Sequence, residues 1–176
     1  MIDNVVIRKF FASLVLFCSV IASSAIYAND PAPVTVLKES TIEMLAALKS
    51  RQGKLKSHPK YLEEQIRRIV VPKFDLTSMS QSVVGRRYWE QSSPAMQQAF
   101  IREFTDLVIN VYSAPLLDYN GDKVQFLPLR ENIGGQSRVV VQTIIVRPTG
   151  QRIAVNYSLK NSGAAWKVYD FSIEGI

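Results

Sequence analysis

The chain has only one cysteine and one histidine among its 176 residues, and this scarcity excludes several kinds of chemistry. Cys18 lies inside an apolar N-terminal run that we expect to be removed. The mature chain would then have no disulfide, no thiol nucleophile and no thiolate metal site. His58 stands beside Pro59 in a polar segment without an adjacent nucleophile or acid, so we interpret it as a solvated loop residue rather than a general base.

Other signatures of metal or phosphate binding are also missing from the sequence. Glu63 and Glu64 are helix neighbours that point about 100° apart, so they cannot chelate one ion together. We expect them to pair with Arg67 and Arg68 at the i+4 positions. The glycine pair at 134–135 precedes a predicted strand rather than a helix, unlike a phosphate-binding loop. We therefore predict no metal site, no cofactor and no catalytic residue.

The charge of the chain is weakly basic, with a formal net charge of +6. The basic residues are spread between Lys38 and Lys167 instead of forming one dense run. This distribution argues against a nucleic-acid-binding arm and is compatible with encounters with anionic membranes or acidic partners.

The N-terminus has the pattern of a secretory signal peptide. A short basic stretch precedes an apolar run over residues 10–22, and small residues follow up to Ala28. The run is shorter than the ~20 apolar residues that a membrane-spanning helix needs. We predict a signal peptide over residues 1–28 and a single exported domain over residues 29–176.

The C-terminal part predicts an antiparallel sheet. Residues 137–147 and 151–160 are separated by a Pro-Thr-Gly turn, and residues 166–173 follow an Asn-Ser-Gly turn. The middle segment alternates apolar and polar residues, which is typical of a strand with one buried face. With a short strand at 124–127, this gives four strands. Residues 139–146 are apolar on both faces, so we expect cover on both sides.

The part before the sheet predicts helices. A short helix is bounded by Asp75, a good N-cap, and Gly85, a good C-terminal residue. The longest helix begins at Ser93-Pro94 and carries an amphipathic pattern up to Pro115. The predicted helical segments are 34–48, 59–71, 76–84 and 94–114. The fold class is therefore α+β, with N-terminal helices packed on a four-stranded antiparallel sheet.

Two polar features of the sequence are each compatible with two interpretations. Asp170 lies within the last strand, where a buried carboxylate would be costly, so it is either a general base in a pocket or an outward or structural group. Arg86 and Arg87 either meet a phosphate group at a pocket mouth or form solvated surface with their stems on Trp89. The apolar faces of the sheet and long helix are equally compatible with an ordinary core and with a ligand cavity.

Two stretches resemble motifs of a known family, the MlaC proteins. Residues 72–80 (PKFDLTSMS) and 83–89 (VVGRRYW) resemble its P-x-F-D…M-S…V-L-G…W block. Residues 166–176 (WKVYDFSIEGI) resemble its W-K-V-Y-D…I-E-G-V strand. The long helix fits the same pattern, so the resemblance covers essentially the whole chain after the signal peptide. In the family, that strand is usually followed by a Tyr-Arg segment and a terminal helix, so we expect this sequence to stop short of the family's usual end.

The resemblance implies a periplasmic phospholipid-binding protein of the Mla pathway, a family also known for toluene tolerance. Such proteins carry phospholipid between an outer-membrane lipoprotein–porin complex and an inner-membrane ABC transporter with an MCE-domain component. They maintain the lipid asymmetry of the outer membrane and are not enzymes. Phospholipid is then the cargo, and its acyl chains enter an apolar pocket between sheet and helices.

On this basis we expect a set of side chains from the helices and the sheet to line the lipid pocket, with Arg86 and Arg87 close to the headgroup. The expected lining residues are Met79, Val83, Phe100, Phe104, Leu107, Val108, Val111, Tyr112, Val139, Val141, Ile144, Val155, Tyr157 and Tyr169.

Two other functions compete with a phospholipid carrier. One is a periplasmic chaperone or lipoprotein carrier that holds a protein or acylated peptide in an apolar groove. The other is a small-molecule enzyme on a cone-shaped α+β scaffold with Asp170 as its base, which requires Asp170 to lie in a cavity beside a second polar group.

Overall fold

The computed structural model of the protein describes residues 32–129 and 133–173. Its N-terminal part is helical, as predicted, and also contains a six-residue helix that the sequence pattern did not indicate. That helix starts directly after Gly85, whose φ of 84° ends the preceding helix. The α-helices are α1 (Ala32–Ser50), α2 (Pro59–Gln65), α3 (Leu76–Val84), α4 (Arg86–Gln91) and α5 (Pro94–Ser113).

The sheet has four antiparallel strands in the order of the chain, which confirms the predicted α+β fold. Its strands are β1 (Lys123–Phe126), β2 (Arg138–Val146), β3 (Arg152–Asn161) and β4 (Trp166–Ile173). Val141 pairs with Tyr157 and Thr143 pairs with Val155 on the face that packs against α1. Side chains alternate across a strand, so this face is the buried one and the intervening residues form the outer face.

A β-bulge in β4 changes which of its residues face the helices. Leu159 pairs with Val168, but Ser158 pairs with Asp170, so Tyr169 is an extra residue in β4. One extra residue reverses the alternation beyond it. Phe171 consequently joins the buried face beside Tyr157, and Asp170 is exposed on the outer face.

Helix α1 bridges two separate apolar clusters. Its N-terminal half places Val34 and Leu37 on the sheet, against Val141, Leu159 and Val168. Its C-terminal half contributes to a second cluster formed between helices. The second cluster contains Met44, Leu48, Leu55, Leu62, Ile66, Ile69 and Ile109. The first cluster anchors the sheet and the second anchors the helices, so α1 holds the two halves of the fold together.

The outer face of the sheet is more polar than its apolar β2 strand suggested. The Gln142 amide donates to Asn156 Oδ1 at 3.1 Å, and the Asn156 amide donates to Ser172 Oγ at 3.4 Å. Val140 on this face is 52% exposed. The prediction that both faces of β2 are covered is therefore wrong at Val140, since the described residues leave about half of this side chain exposed.

The helix that starts at Pro59 changes geometry before it ends. A π-helical turn (Ile66–Val70) and a 3₁₀ turn (Val71–Lys73) follow α2. The expected i+4 pairs with Glu63 and Glu64 are wrong. Arg67 instead binds Asp106 of α5 at 2.8 Å and Arg68 binds Glu43 of α1 at 2.5 Å, so these arginines connect three helices.

The segment interpreted as a signal peptide, residues 1–28, lies outside the described residues. Within the described part of the chain, none of the helices has the length and hydropathy of a bilayer-spanning segment.

Adjacent valines of β2 provide a test of this burial pattern. Val141 is fully buried and Val140 is 52% exposed. We expect Val141→Ala to lower the free energy of unfolding by about 2–3 kcal/mol, because it removes two buried carbons at ~0.8 kcal/mol each and leaves a cavity. The control Val140→Ala should cost less than about 1 kcal/mol. Urea unfolding followed by circular dichroism measures both, and equal losses would contradict the assigned faces.

Candidate functional site

The segment that precedes α3 is attached to the edge of the sheet. The backbone N–H of Asp75 donates to the carbonyl of Val168 at 2.7 Å, and Phe74 forms a parallel bridge with the same residue. The Lys167 ammonium donates to the Pro72 carbonyl. Residues 72–78 together with Lys160, Lys167 and Val168 are called the joint below. The joint connects the helical half directly to β3 and β4.

Asp75 has two roles at the joint. Its Oδ1 accepts from the backbone N–H of Ser78 at 2.9 Å, which caps the N-terminus of α3 as predicted. Its Oδ2 lies 2.7 Å from Lys160 Nζ and accepts from Ser78 Oγ at 3.0 Å. Lys160 also donates to Ser78 Oγ at 2.6 Å, which completes a three-membered cluster.

The Asp75 carboxyl is partly withdrawn from solvent, with 23% of its side chain exposed. Burial alone would raise the pKa of Asp75. The hydrogen bonds from Lys160 and Ser78, together with the charge of Lys160, outweigh burial and hold that pKa below its ordinary value of 3.8. Asp75 is therefore ionised at neutral pH.

The close approach of Ser78 and Lys160 has the composition of a serine–lysine catalytic pair. Such a pair needs a lysine nitrogen with a free lone pair to accept the serine proton. Here Lys160 Nζ lies 2.7 Å from the Asp75 carboxylate and donates to Ser78 Oγ, so its hydrogen bonds in this cluster are those of a donor. The cluster is thus suited to fastening α3 to the sheet and not to activating a nucleophile.

Helix α5 has two apolar faces instead of one. Thr105 and Ile109 are buried, and Ile109 belongs to the cluster between helices. A second set of apolar side chains lies on the opposite side of α5. When residues are placed at 100° intervals around the helix axis, this set spans an arc of about 60°. Its members are Met96, Phe100, Leu107 and Val111, with Phe104 and Val108 beside them. We call these six residues the α5 stripe.

Much of the α5 stripe is uncovered within the described residues. Met96 is 63% exposed, Leu107 is 59% exposed and Val111 is 53% exposed. Phe100 and Phe104 stack with ring centroids 6.0 Å apart. Contiguous exposed apolar surface of this kind marks an interaction or ligand-binding site in soluble proteins. Among the described residues the stripe is the feature with the clearest capacity to bind an apolar partner.

The α5 helix approaches the buried face of the sheet beyond the end of its stripe. The Tyr112 ring meets Phe171 of β4 edge to face at 5.0 Å, and Phe171 meets Phe74 of the joint at 5.9 Å. Burial raises the pKa of the neighbouring Tyr157 phenol above 10.0, although a hydrogen bond with Thr143 opposes the shift. This contact region is therefore aromatic and uncharged at neutral pH. Phe171 and Phe74 were not among the expected site residues.

The residues expected to line a pocket separate into three groups. Met79, Val141 and Val155 are buried within the packed core. Ile144 pairs with Ala154, and Tyr169 lies under the Arg138 guanidinium at 5.5 Å, which places both on the outer face, away from α1. Residues of the α3 and α5 helices form the open group, whereas Tyr157 and Val139 are partly buried on the inner sheet face against the first apolar cluster. The open group comprises Val83, Phe100, Phe104, Leu107, Val108, Val111 and Tyr112.

A cavity of about 290 Å³ opens beside Arg138 and Tyr169. Its lining also includes Pro128, Leu129, Val139, Val140 and Gln142. The volume is at the lower end of the ~300–1,000 Å³ of pockets that hold drug-sized ligands. This cavity is thus too small to enclose a diacyl lipid and is distinct from the α5 stripe.

The polar candidates from the sequence are on the surface. Arg86 binds Glu90 at 2.8 Å within α4, and Arg86 and Arg87 are both exposed. Asp170 is exposed rather than in a cavity, which removes the observation that an Asp170-based enzyme required. His58 Nδ1 lies 3.1 Å from the Ser57 hydroxyl and 3.0 Å from the Lys54 carbonyl, both of them local groups. Across residues 32–129 and 133–173, no three potential metal-binding side chains of the His, Cys, Asp or Glu type cluster together.

Comparison with known proteins agrees with this architecture. A sequence model of the family described as MlaC protein matches residues 38–176. The chain belongs to the MlaC family.

Individual relatives extend the comparison. Toluene tolerance protein ttg2D of Pseudomonas putida is 28% identical over 144 residues, 82% of this chain and 66% of that protein. The intermembrane phospholipid transport system binding protein MlaC of Haemophilus influenzae is 21% identical over 173 residues, 97% of this chain and 80% of that protein. This chain therefore spans just under two thirds of the length of the Pseudomonas relative.

A solved structure is similar to the fold of this chain. The phospholipid-binding protein of Ralstonia solanacearum, in complex with a phospholipid, superposes with a TM-score of 0.70 and 27% identity. The match covers 81% of this chain and 78% of that chain.

The ion pair at Asp75 predicts a pH dependence of stability. A carboxyl group whose pKa is lowered by folding stabilises the fold above its unfolded pKa of about 3.9, and that contribution disappears as the pH falls through the folded value. We expect Asp75→Asn, which retains an N-cap acceptor, to be about 1–2 kcal/mol less stable at pH 7. The difference should shrink towards pH 3 in urea unfolding experiments. A difference that is constant from pH 7 to pH 3 would rule out the ion pair as its source.

Proposed function

We propose that this protein is a phospholipid carrier that binds acyl chains against the α5 stripe and the adjoining inner face of the sheet. The observation that carries the proposal is the exposure of Met96, Leu107 and Val111 on a helix that meets the sheet at Tyr112. Membership of the MlaC family and the likeness to a lipid-bound structure support the same assignment.

The chemistry of the stripe suits acyl chains of different length. Each methylene removed from water contributes about 0.8 kcal/mol, so a continuous apolar surface binds a fatty chain without directional contacts. The stripe contains aliphatic and aromatic side chains and no charged residue. Binding by such a surface depends on buried area and tolerates variation in the chain, as a carrier of mixed membrane lipids requires.

The headgroup is proposed to stay near solvent. Arg87 on α4 is exposed, and it lies four residues after Val83 of α3, which is 62% exposed. An arginine at this place offers bidentate donors to a phosphate group. Arg86 is a weaker candidate because its guanidinium already binds Glu90.

The cellular role that we propose follows from the family. The chain would be exported to the periplasm through a signal peptide at residues 1–28 and would function there as one domain. It would exchange phospholipid with an inner-membrane ABC transporter bearing an MCE-domain protein and with an outer-membrane lipoprotein–porin complex, and so maintain outer-membrane lipid asymmetry. Phospholipid is the cargo in this role, and no cofactor, nucleic acid or catalytic step is involved.

Lipid loading provides the direct test of this function. We expect protein purified from the periplasm to contain phospholipid in organic extracts analysed by mass spectrometry. Delipidated protein should take up fluorescent phospholipid from liposomes and should release it to acceptor vesicles. Protein that carries no extractable phospholipid and takes up none from liposomes would refute the carrier assignment. Co-purification with an acylated peptide instead would favour the lipoprotein-carrier alternative.

A substitution on the stripe tests where the acyl chains bind. Val111→Asp places a charge on the open apolar surface, and desolvating that carboxylate on binding is costly, so lipid uptake should fall at least about tenfold. Because Val111 is 53% exposed, the fold should persist in circular dichroism.

Ile42 of α1 supplies the matched control. Ile42 is 68% exposed on a helix surface outside the stripe. Ile42→Asp introduces the same charge and should leave uptake within about twofold of wild type, as expected for surface substitutions away from a site. If both variants lose uptake equally, the binding surface is not the α5 stripe.

A further inference from the structure

The contacts around Lys160 suggest a role beyond local stability. Lys160 lies near the end of β3, and the residues it binds, Asp75 and Ser78, are at the start of α3, more than 80 positions earlier in the chain. The side chain of Lys160 is 28% exposed, which is well below the exposure of the other ion pairs described above. A partly buried, long-range ion pair with a third hydrogen-bonding partner fixes geometry more firmly than exposed pairs do.

Helix α3 occupies a central place between the two walls of the proposed lipid site. It contacts β4 on one side and α5 on another. Its own residues contribute both to the core, through buried Met79, and to the open surface, through exposed Val83. Because α3 packs against both β4 and α5, we expect a movement of α3 relative to β4 to be transmitted to the α5 stripe.

We propose that the Lys160–Asp75–Ser78 cluster is the positioning element that fixes α3, and through it α5, against the sheet, and that it thereby controls how firmly the carrier retains its lipid. This inference rests on the proposed carrier function. Lys160 acts through α3 in this role and does not contact the cargo.

The backbone contacts of the joint do not replace this cluster. The Asp75–Val168 hydrogen bond and the Phe74 bridge hold the extended residues before α3. These two backbone contacts do not fix the direction of the α3 axis, which is set by side-chain contacts. The Lys160 ammonium binds both Asp75 and Ser78, residues in the cap and first turn of α3, and two contacts on one turn restrict rotation as well as translation of that helix.

Two variants remove the cluster while keeping the helix cap. Lys160→Met retains an unbranched side chain of similar length but loses the ammonium group. Asp75→Asn retains an acceptor for the N–H of Ser78 but loses the charge. Lys160→Arg keeps the cation and serves as the conservative variant.

A control must lower stability without affecting the joint. Ile69 is 2% exposed in the cluster between helices, away from the sheet. Ile69→Val removes one buried methyl group, so it destabilises the fold by an amount comparable to the loss of a partly buried ion pair. Phospholipid retention can then be compared between Ile69→Val and the cluster variants at a similar midpoint of thermal unfolding.

The test measures release of fluorescent phospholipid from loaded protein to acceptor vesicles, together with hydrogen exchange of α3 amides. We expect Lys160→Met and Asp75→Asn to accelerate release and α3 exchange about tenfold, the factor that corresponds to ~1.4 kcal/mol. Lys160→Arg should restore release to within about twofold of wild type, and Ile69→Val should leave release similarly unchanged.

Each outcome decides the proposal. Unchanged release in both cluster variants, or equal acceleration in Ile69→Val, overturns the positioning role while the carrier function stands. Wild-type protein that takes up no phospholipid overturns the carrier function and the retention role together. If, in addition, Lys160→Met leaves the hydrogen exchange of the α3 amides unchanged, the claim that the cluster fastens α3 to the sheet is also refuted.

Discussion

Besides α1, the connection between the helices and the sheet depends on the joint, where the short segment at Phe74 and Asp75 lies along β4. Residues 72–78 donate an N–H to Val168, accept from Lys167 and place Asp75 beside Lys160. The two sequence motifs that resemble the MlaC family, around residues 72–80 and 166–176, meet at this place.

Local signals in the sequence determined many of the element boundaries. Asp75 caps α3, Gly85 ends it with a positive φ, and Ser93 with Pro94 begins α5, each through backbone groups of the next turn. The order and pairing of the strands followed from alternation and turn residues. These features depend on neighbours within a few positions, which a sequence pattern contains.

Other features depend on contacts between distant segments and were not predictable in this way. The bulge at Tyr169, opposite Ser158 and Leu159, exchanges the faces of Asp170 and Phe171, so strict alternation along β4 assigns both incorrectly. The acidic partners of Arg67 and Arg68 lie on α5 and α1, although Arg68 also donates to Gln65 of its own helix at 2.8 Å. The open position of the α5 stripe also could not be predicted, because an apolar helix face has the same sequence pattern whether it is covered or exposed.

The wide sequence separation between Asp75 and Lys160 has a consequence for folding order. The helices and each strand hairpin are built from local contacts, which form early, whereas a contact across some eighty residues must first overcome the entropy of closing that loop. The final pairing of β3 and β4 brings Lys160 and Val168 into position to meet residues 72–78. We therefore expect the apolar helix surfaces to form before the joint, so those surfaces stay exposed to solvent until the helical half and the sheet come together.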